Sequence, residues 1–443
     1  MPPPPPIVVV GGGWAGLAAA VTLARDGIPV TLLESAPQPG GRARTVDGPF
    51  GAVDNGQHLL IGAYGQFLDL LATLGLREEA VLDRCSLQLR MSDLGGDRDV
   101  VLSVPALPAP LHLAKALASA RGLSVRERLA AVRFTAWLRQ RDFALDDTPL
   151  AALLTAHGQP QRLTRALWEP LCLATLNTPL AQASALLFAR VLQRTFTGHR
   201  SHCDLLLPRA PLSDLLPEPA AAFIAARGGT LRTGQRVVAL HAPAGRLTAV
   251  DLADGTRLPA RHVVLALPPP ALAPLLDGLP ALAPLRATLT QFSYQPICTV
   301  YLHYARPMSL DGPLRGILGG TTQWLIDRGG TGTPGVIAAV VSAEGPHMTL
   351  EPDALADRVC AEVAQLFPAW PAPAARLVTR ERRATFASVA GIETLRPGAA
   401  TALPGCWLAG DWTSTGLPAT LEGAVSSGVQ SARAVTAALA AGD

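Results

Sequence analysis

Lysine is almost absent from this sequence. Of its 37 basic residues only Lys115 is a lysine, and arginine supplies all the others. We attribute this bias mainly to a GC-rich genome, but it removes lysine from nearly every catalytic role. Charged residues make up only 16% of the chain and apolar residues 49%, whereas about a quarter of an average protein is charged. The composition therefore predicts an unusually apolar surface or an apolar substrate cavity.

Other absences narrow the class of protein further. The net charge of +3 is too small to indicate a nucleic-acid partner. The uncharged run 170–189 contains Asn177, Pro179 and Gln182, which a membrane-spanning helix should not carry. The amino terminus, MPPPPP, lacks the basic and apolar regions of a signal peptide. We therefore expect a cytoplasmic protein without a transmembrane segment.

Six cysteines are scattered along the chain with no close pair, at positions 85, 172, 203, 298, 360 and 406. Zinc sites and redox motifs place cysteines two to four residues apart, so neither is predicted here. Scattered cysteines fit a reducing compartment, in which they act as small apolar residues. The sequence predicts no metal site.

A length of 443 residues favours two domains or one elaborated domain. The chain opens with a β-branched strand at 7–10, an alanine-rich helix at 14–26 and a second buried strand at 28–34. This order is the βαβ opening of a doubly wound fold. Helical patterns follow at 64–82 and, interrupted by prolines, over 111–200. Within the second region, Ser124 and Glu127 predict a capping box at a helix start.

The pattern changes after residue 208. We predict a strand at 230–240, a hairpin that turns at Asp254-Gly255, and a following apolar strand. Two more strand runs occupy 296–304 and 335–343, and a helix follows at 352–367. The last segment reads as a strand, a glycine-rich loop and a terminal helix. Nucleotide-type signals at both ends therefore indicate one domain interrupted by another.

The first glycine motif is Gly11-x-Gly13-x-x-Gly16, placed between a strand and a helix. Gly11 permits the tight turn, Gly13 lets the backbone approach a pyrophosphate, and Gly16 allows close packing of helix on strand. The phosphates would lie at the helix amino terminus, where free N–H groups point at them. Glu34, at the end of the second strand, is placed to bind ribose hydroxyls. The motif alone does not separate NAD from FAD.

A second glycine segment, GGRART at 40–45, follows this acid. Gly40 and Gly41 would let the chain pass close to a diphosphate, and Arg42 would add charge-assisted hydrogen bonds. Arg44 would either do the same or face solvent. A domain that binds only NAD has no need for this segment.

Together, GGGWAG, Glu34 and GGRART resemble the start of the flavin-dependent amine oxidase and carotenoid desaturase superfamily. WLAGDW (407–412) and LEGAVSSG (421–428) resemble its closing motif. The resemblance implies FAD as cofactor, with the Gly410-Asp411 pair at the ribityl chain. It also implies that the helix starting at Gly423 and Ala424 points at the flavin pyrimidine, and that the Val237 backbone holds the adenine.

The implied fold class is α/β, with a doubly wound Rossmann-like FAD-binding domain interrupted by a helical plus β-sheet substrate domain, as in amine oxidases. We assign 1–80, 205–270 and 376–443 to the FAD-binding domain. We assign 81–204 and 271–375 to the substrate-binding domain.

Two departures argue against amine oxidation itself. Amine oxidases keep a lysine near the flavin on a strand that corresponds to 294–302, and no lysine occurs there. They also have an aromatic cage, whereas the closing loop here reads TSTGLPATLEGA. Another branch fits better, because DNGQH at 54–58, which includes Gly56 and Gln57, resembles the bacterial hydroxysqualene dehydroxylases of hopanoid synthesis. That family implies reductive removal of an allylic hydroxyl, with hydride from reduced FAD.

The residue chemistry offers three catalytic candidates. His58 is the natural general acid for a leaving hydroxyl, and the alternative is a buried histidine that holds the 54–57 turn. Asp54 is a candidate that more readily orders the loop than donates a proton. Glu422, beside the flavin-facing helix start, is a second acid, with helix capping as its alternative. Arg194 and its neighbours Arg190, His199 and His202 read as a solvated or interdomain face.

The implied partner is a C30 isoprenoid, recognised by apolar burial and handed over from upstream synthases that make squalene or hydroxysqualene. An oily substrate is collected from a membrane, and segments 105–123 and 125–141 could lie on a bilayer with arginines at the headgroups. We therefore expect peripheral contact at the inner face of the cell membrane. The alternatives are a phytoene-type polyprenoid desaturase, then a flavin amine oxidase, and finally a non-catalytic isoprenoid-carrying flavoprotein.

Overall fold

The computed structural model describes residues 6–96 and 98–442. The amino-terminal prolines at 2–5 lie outside these residues. The strands of the described part are β1 (Ile7–Val10), β2 (Val30–Leu33), β3 (Thr45–Gly48), β4 (Gly51–Asp54), β5 (Leu60–Ile61), β6 (Leu82–Cys85), β7 (Gln88–Asp93), β8 (Val100–Ser103), β9 (Leu205–Pro208), β10 (Thr230–Arg232), β11 (Val237–His241), β12 (Ala249–Leu252), β13 (Arg257–Pro259), β14 (Val263–Leu265), β15 (Tyr294–His303), β16 (Leu314–Leu318), β17 (Trp324–Asp327), β18 (Val336–Ser342), β19 (Ala375–Phe386) and β20 (Cys406–Leu408).

The α-helices of the same residues occur between groups of these strands. They are α1 (Trp14–Arg25), α2 (Gly65–Thr73), α3 (Glu78–Val81), α4 (Leu111–Ala118), α5 (Val125–Gln140), α6 (Leu150–Ala156), α7 (Gln161–Leu163), α8 (Glu169–Leu176), α9 (Ala185–Phe196), α10 (Leu212–Leu215), α11 (Pro217–Ala225), α12 (Pro269–Leu272), α13 (Ala283–Leu289), α14 (Pro352–Leu366) and α15 (Leu421–Ala440). A π-helical turn at Thr164–Trp168 joins α7 to α8.

A five-stranded parallel sheet forms the first layer, in the order β10-β2-β1-β14-β20. All four residues of β1 and of β2 are buried, as expected when helices cover both faces of a parallel sheet. Helix α1 packs against α15 and α11. The sheet draws strands from the beginning, middle and end of the chain, so the predicted α/β doubly wound fold is confirmed.

A seven-stranded mixed sheet forms the second layer, in the order β19-β15-β18-β17-β16-β7-β8. It is antiparallel except for the β7–β16 pair. Strand β19 pairs along almost its whole length with β15. The predicted domain boundary between 375 and 376 is therefore wrong at this point, because it cuts β19 from the sheet to which it belongs.

Two of the predicted elements are divided in the structure. The helical pattern at 64–82 forms α2 and α3, because Gly75 adopts a φ of +78° and ends the first helix. The run at 230–240 forms β10 in the parallel sheet and β11 in a separate three-stranded sheet with β12 and β13. The chain turns between them at Gly234, whose φ is +67°. The hairpin at Asp254-Gly255 is confirmed by the antiparallel pairing of β12 with β13.

The proline-interrupted helical region lies between β8 and β9 in the sequence. Its clearest predicted start, the capping box at Ser124 and Glu127, is present in full, with both reciprocal hydrogen bonds formed. Across residues 6–96 and 98–442, no helix has both the length and the hydropathy that a membrane span requires.

Candidate active site

One large cavity, of about 1190 Å³, runs between the parallel sheet and the seven-stranded sheet. This volume exceeds the 300–1,000 Å³ typical of ligand pockets. Its lining changes character along its length, from glycine-rich turns and charged residues to leucine, phenylalanine and tryptophan side chains. The cavity is therefore large enough for two ligands of different polarity, one at each end.

The first glycine motif forms the polar end. A Cβ on Gly16 would lie 1.9 Å from the Gly11 carbonyl oxygen, so the packing of α1 on the turn requires glycine there. Gly13 faces Gly41 across the cavity wall, and a Cβ on Gly41 would approach the Gly13 Cα to 3.1 Å. The two glycine segments thus bring bare backbone together, as close approach of a pyrophosphate requires.

Glu34 lies at the carboxyl end of β2 and lines the cavity. Its Oε2 accepts the Gly12 N–H at 2.6 Å, and its Oε1 accepts the Ala36 N–H at 2.7 Å. A carboxylate offers about four acceptor positions, so this one is fixed in place and still has capacity for ribose hydroxyls. The geometry fits the predicted role.

Arg42 and Asp411, predicted separately as cofactor ligands, pair with each other. The Arg42 Nη2 lies 2.7 Å from the Asp411 Oδ1, and its Nη1 donates to the Ala384 carbonyl at 2.7 Å. Both residues line the cavity, and the second oxygen of Asp411 is left for a ligand. Arg42 therefore positions Asp411, while its direct contact with a diphosphate remains a prediction.

The start of α15 differs in detail from the prediction. Thr420 caps the helix, and its hydroxyl accepts the Gly423 N–H at 3.0 Å. Ala424 lines the cavity together with Leu421 and Glu422, but Gly423 does not. The first-turn amides that can face a ligand are therefore those of Leu421 and Glu422 rather than that of Gly423. Val237, predicted to hold adenine, lines the polar end of the cavity.

Arg396, which the sequence reasoning missed, holds the closing loop together. Its side chain is fully buried. It donates to the carbonyls of Asp411, Trp412, Thr413 and Leu417. One guanidinium therefore fixes the loop that carries Asp411. No local sequence motif around position 396 predicts this role.

The DNGQH loop, 54–58, lies on the seven-stranded sheet, where the Gln57 N–H donates to the Thr299 hydroxyl at 3.3 Å. Asn55, Gly56, Gln57 and His58 line the cavity, but Asp54 does not. Its loop neighbours thus form the wall that Asp54 supports from behind.

Asp54 is fully engaged by protein groups. Its Oδ1 accepts the Leu212 N–H at 2.9 Å, and its Oδ2 lies 3.0 Å from the Arg328 Nη1. Both side chains of this pair are at most 3% exposed. The assignment of Asp54 as a catalytic residue is therefore wrong, since it is a positioning residue without access to the cavity.

Arg328 was not predicted and links this buried pair to the cavity wall. The same Nη1 donates to the Gln57 side-chain oxygen at 2.6 Å. Tyr301 completes the support, because its hydroxyl donates to the Asp54 carbonyl at 2.9 Å. Burial raises the pKa of Tyr301 above its usual range, so the hydroxyl remains a donor.

His58 presents one ring nitrogen to the cavity. Its Nδ1 lies 2.8 Å from the Gly56 carbonyl oxygen. A carbonyl only accepts, so Nδ1 carries the proton and Nε2 is the acceptor in the neutral ring. Burial lowers the pKa of His58, although the nearby Asp54 carboxylate opposes that shift. At neutral pH the imidazole is therefore mainly uncharged.

Glu422 caps a helix. Its two carboxylate oxygens accept the N–H groups of Gln66 and Phe67, each at 3.0 Å, at the start of α2. The side chain is almost completely buried. Burial raises the pKa of Glu422 to about 7, against the two amide hydrogen bonds that lower it. Its contacts match the helix-capping alternative better than a free acid.

The other end of the cavity is an apolar chamber. Its floor comes from the seven-stranded sheet and its roof from α8 and α9. The apolar side chains that line this end are Leu87, Leu89, Leu171, Leu173, Phe188, Val191, Leu192, Leu314, Trp324, Ile326 and Val340. The chamber is continuous with the polar end, and His58 lines the same cavity.

Arg194 is exposed, as expected for a solvated or interdomain face, and it also lines the cavity. Its positive charge acts on Glu422 and partly opposes the upward shift of the Glu422 pKa. Arg190 is half-buried and pairs with Glu393 of the segment assigned to the other domain, as the interdomain alternative expects, and Glu393 in turn pairs with Arg396.

The family model of the flavin containing amine oxidoreductases matches residues 14–436. This range includes every predicted site residue except the first two glycines of the opening motif. FAD is therefore the cofactor that the polar end of the cavity accommodates.

Three curated relatives are informative. A hydroxysqualene dehydroxylase from Rhodopseudomonas palustris is 32% identical over 435 residues, covering 96% of both chains. A second protein of that name, from Sinorhizobium fredii, is 29% identical over 94% of this chain and 95% of its own. A hydroxyneurosporene desaturase from Cereibacter sphaeroides is 30% identical, but over only 58% of this chain and 55% of its own.

Among solved structures, cyclohexylamine oxidase from Brevibacterium oxydans superposes with a TM-score of 0.75, covering 99% of this chain and all of that one. The sequence identity is 18%. This likeness confirms the amine oxidase-like fold.

Proposed function

Because this chain belongs to the flavin containing amine oxidoreductases, and within them to the hydroxysqualene dehydroxylases, we propose that it converts hydroxysqualene to squalene by reductive removal of the allylic hydroxyl. The product would feed hopanoid synthesis. The non-catalytic carrier hypothesis is set aside, because this is a family of oxidoreductases.

The observation that carries the proposal is that both ends belong to the same large cavity. It joins a glycine-lined polar end, suited to FAD, to a chamber walled by leucine, phenylalanine and tryptophan. A C30 hydrocarbon has almost no polar groups that a protein could hydrogen-bond. Its binding therefore depends on burial of apolar surface, which contributes about 25 cal/mol per Å² of binding free energy. A chamber of this kind beside a flavin site supports a long isoprenoid as the substrate.

The polar end also supports the cofactor. The Glu34 carboxylate keeps capacity for ribose hydroxyls, and the second oxygen of Asp411 is available for a ligand. The backbone amides at the start of α15 face the cavity near a positive helix end. When bound in its reduced form, FAD supplies the hydride.

The reaction replaces a C–OH bond by a C–H bond. It consumes one hydride at carbon and one proton at oxygen, and it releases water. His58 is the group that we assign to the oxygen, because its Nδ1 is held by Gly56 and its Nε2 is the nitrogen left for substrate. In the neutral ring Nε2 accepts the hydroxyl proton as a hydrogen bond. The protonated ring, with its lowered pKa, is a strong proton donor to the leaving oxygen.

A second candidate function is desaturation of a polyprenoid. The partial similarity to a hydroxyneurosporene desaturase favours it, and it would use the same cofactor and the same apolar chamber. Amine oxidation is less well supported, because the lysine of that chemistry is missing. The single lysine of the chain, Lys115, lies in α4 and does not line the cavity.

Anaerobic turnover distinguishes these functions. The purified enzyme is reduced with dithionite, freed of excess reductant and mixed with hydroxysqualene. We expect squalene to form in proportion to the flavin that is reoxidised, and the oxidised enzyme serves as the control that yields none. If the flavin stays reduced and no squalene appears, the proposal fails. Reduction of the oxidised enzyme by a polyprenoid would favour the desaturase.

The remaining expectations about partners extend this proposal. We propose that hydroxysqualene is handed over from the upstream synthases, in the cytoplasm at the inner face of the cell membrane. Co-purification of the enzyme with such a synthase, abolished by dilution of either partner, would support hand-over.

A further inference from the structure

Four large exposed apolar side chains come from one short stretch of the chain, 107–129. Within residues 6–96 and 98–442, six large apolar side chains are at least 37% exposed. Four of them belong to this stretch, and the other two lie elsewhere in the chain. We name them the outer patch: Leu107, Leu111, Val125 and Leu129, with exposures of 37%, 59%, 63% and 47%.

Three members of the outer patch lie on a packed pair of helices, and Leu107 lies in the loop before α4. Leu111 begins α4, Val125 begins α5, and Leu129 lies one turn further along the same face of α5. The two helices pack together, and the Arg128 side chain of α5 donates to the Ala118 carbonyl of α4 at 3.0 Å. Leu111, Val125 and Leu129 are therefore exposed on packed helices, and nothing in the described chain covers them or Leu107.

The charge of the segment that carries the outer patch is strongly one-sided. Residues 100–141 contain seven basic residues and one acidic residue, which gives a formal charge of +6. The whole chain carries +3, so the rest of it carries −3. The one acid, Glu127, is buried in the capping box and is not presented at the surface. The basic residues are Lys115, Arg121, Arg126, Arg128, Arg133, Arg139 and Arg141.

We propose that the outer patch is a docking surface for an anionic lipid bilayer. Its aliphatic side chains enter the boundary between headgroups and acyl chains, and the basic residues around them contact acidic headgroups. The composition favours a bilayer over a protein partner, because leucine and valine are under-represented among the residues that dominate protein interfaces.

Leu107, at one end of the outer patch in the sequence, lies near the apolar chamber. The Val104 N–H donates to the carbonyl of Leu87 at 3.0 Å, and Leu87 lines the chamber. Leu107 follows Val104 by three residues, which places it at most about 11 Å away along the chain. A docked enzyme would therefore hold its chamber close to the lipid. Only this step, which concerns substrate access, rests on the proposed function.

Co-sedimentation of the FAD-loaded full chain with vesicles tests the surface directly. We expect binding to vesicles that mix phosphatidylcholine with phosphatidylglycerol, and much weaker binding to phosphatidylcholine alone. Each basic residue near an anionic surface contributes about fivefold, so Arg126→Glu with Arg133→Glu should lower the partition coefficient at least about twentyfold. Leu111→Ser with Leu129→Ser should lower it by a similar factor.

Two matched controls lie outside the outer patch. Leu439→Ser replaces another exposed leucine, 37% exposed, and Arg77→Glu reverses an exposed arginine. Both should bind vesicles like the wild type. Because all these positions are exposed, each variant should retain its flavin absorbance and its Tm, which shows that loss of binding is not loss of folding.

Three results would overturn the proposal. The first is equal vesicle binding by the patch variants and the wild type. The second is equal binding to neutral and anionic vesicles. The third is an absence of vesicle binding together with a patch-dependent sedimentation coefficient, which would make the surface an interface between two copies. None of these measurements uses hydroxysqualene turnover, so the docking surface and the proposed function can fail separately.

Discussion

The buried pair of Asp54 and Arg328 supports the cavity wall, so replacement of Arg328 by methionine should destabilise the protein. Both side chains are at most 3% exposed, and the charged atoms lie 3.0 Å apart. Removal of one partner from a buried pair costs about 3–5 kcal/mol, because the remaining charge is left uncompensated. Methionine keeps much of the volume but offers no donor to Asp54 or to Gln57.

The size of the effect on Tm follows from the length of the chain. Unfolding releases about 2.1 cal/mol/K per residue, which over 443 residues is about 0.9 kcal/mol/K. A loss of 3–5 kcal/mol should therefore lower the Tm by roughly 3–5 °C. Turnover should fall as well, because Gln57 loses the hydrogen bond from Arg328 that holds it in the wall beside His58.

Calorimetry of the FAD-loaded protein measures this shift, and Arg209→Met is its control. Arg209 pairs with Asp83, but these side chains are 49% and 42% exposed, and such pairs contribute at most about 1 kcal/mol. The double variant Asp54→Asn/Arg328→Met should recover part of the loss, because the amide oxygen still accepts the Leu212 N–H and no charge is buried alone. A Tm change for Arg328→Met no larger than that of the control would refute the reasoning.

Three further predictions concern single side chains. His58→Ala should lower kcat by about 10²–10⁴-fold with retained flavin absorbance, and unchanged kcat would favour a purely structural histidine. Arg396→Met should leave several buried carbonyls unsatisfied at about 1–3 kcal/mol each, so FAD should dissociate at least tenfold more readily in an equilibrium titration, whereas Arg42→Lys should weaken binding less. The pKa of Glu422 is raised to about 7, so its folded form holds a proton that the unfolded form loses above its ordinary value of 4.5. Stability from this group therefore declines as pH rises from about 4.5 to 7, and the Tm advantage of the wild type over Glu422→Gln should be larger at pH 5 than at pH 8.

The parts of the site that could be predicted are those whose signal is local. The opening glycines and Glu34 follow one another within a single βαβ unit, where Gly11 adopts a φ of +105° and Gly16 has no room for a Cβ. The capping box of α5 is local in the same sense, and it is present as predicted. Local patterns also indicated the strands and helices, because hydrophobic periodicity reports which face is buried.

The missed residues act over long separations. Arg328 lies 271 residues after Gln57, to which it donates. Arg396 has no motif of its own and acts through carbonyl oxygens, which every residue possesses. The same reason explains the errors at Asp54 and Gly423, since their roles depend on which neighbours the fold supplies. Sequence patterns predict the residue types at a site. The groups that form hydrogen bonds with those residues come from distant parts of the chain, so only the three-dimensional structure shows them.

The proton on His58 separates the two leading functions. Removal of a hydroxyl requires a proton delivered to oxygen, whereas desaturation requires a proton removed from carbon. The Gly56 carbonyl fixes the proton on Nδ1, so both reactions would use Nε2, in opposite protonation states. Burial lowers the pKa of this ring from its ordinary value of 6.5. If His58 acts on the leaving oxygen, kcat should rise as pH falls toward that lowered pKa, whereas for desaturation kcat should be lost over the same range. The sign of the slope, and its disappearance in His58→Ala, therefore distinguishes dehydroxylation from desaturation.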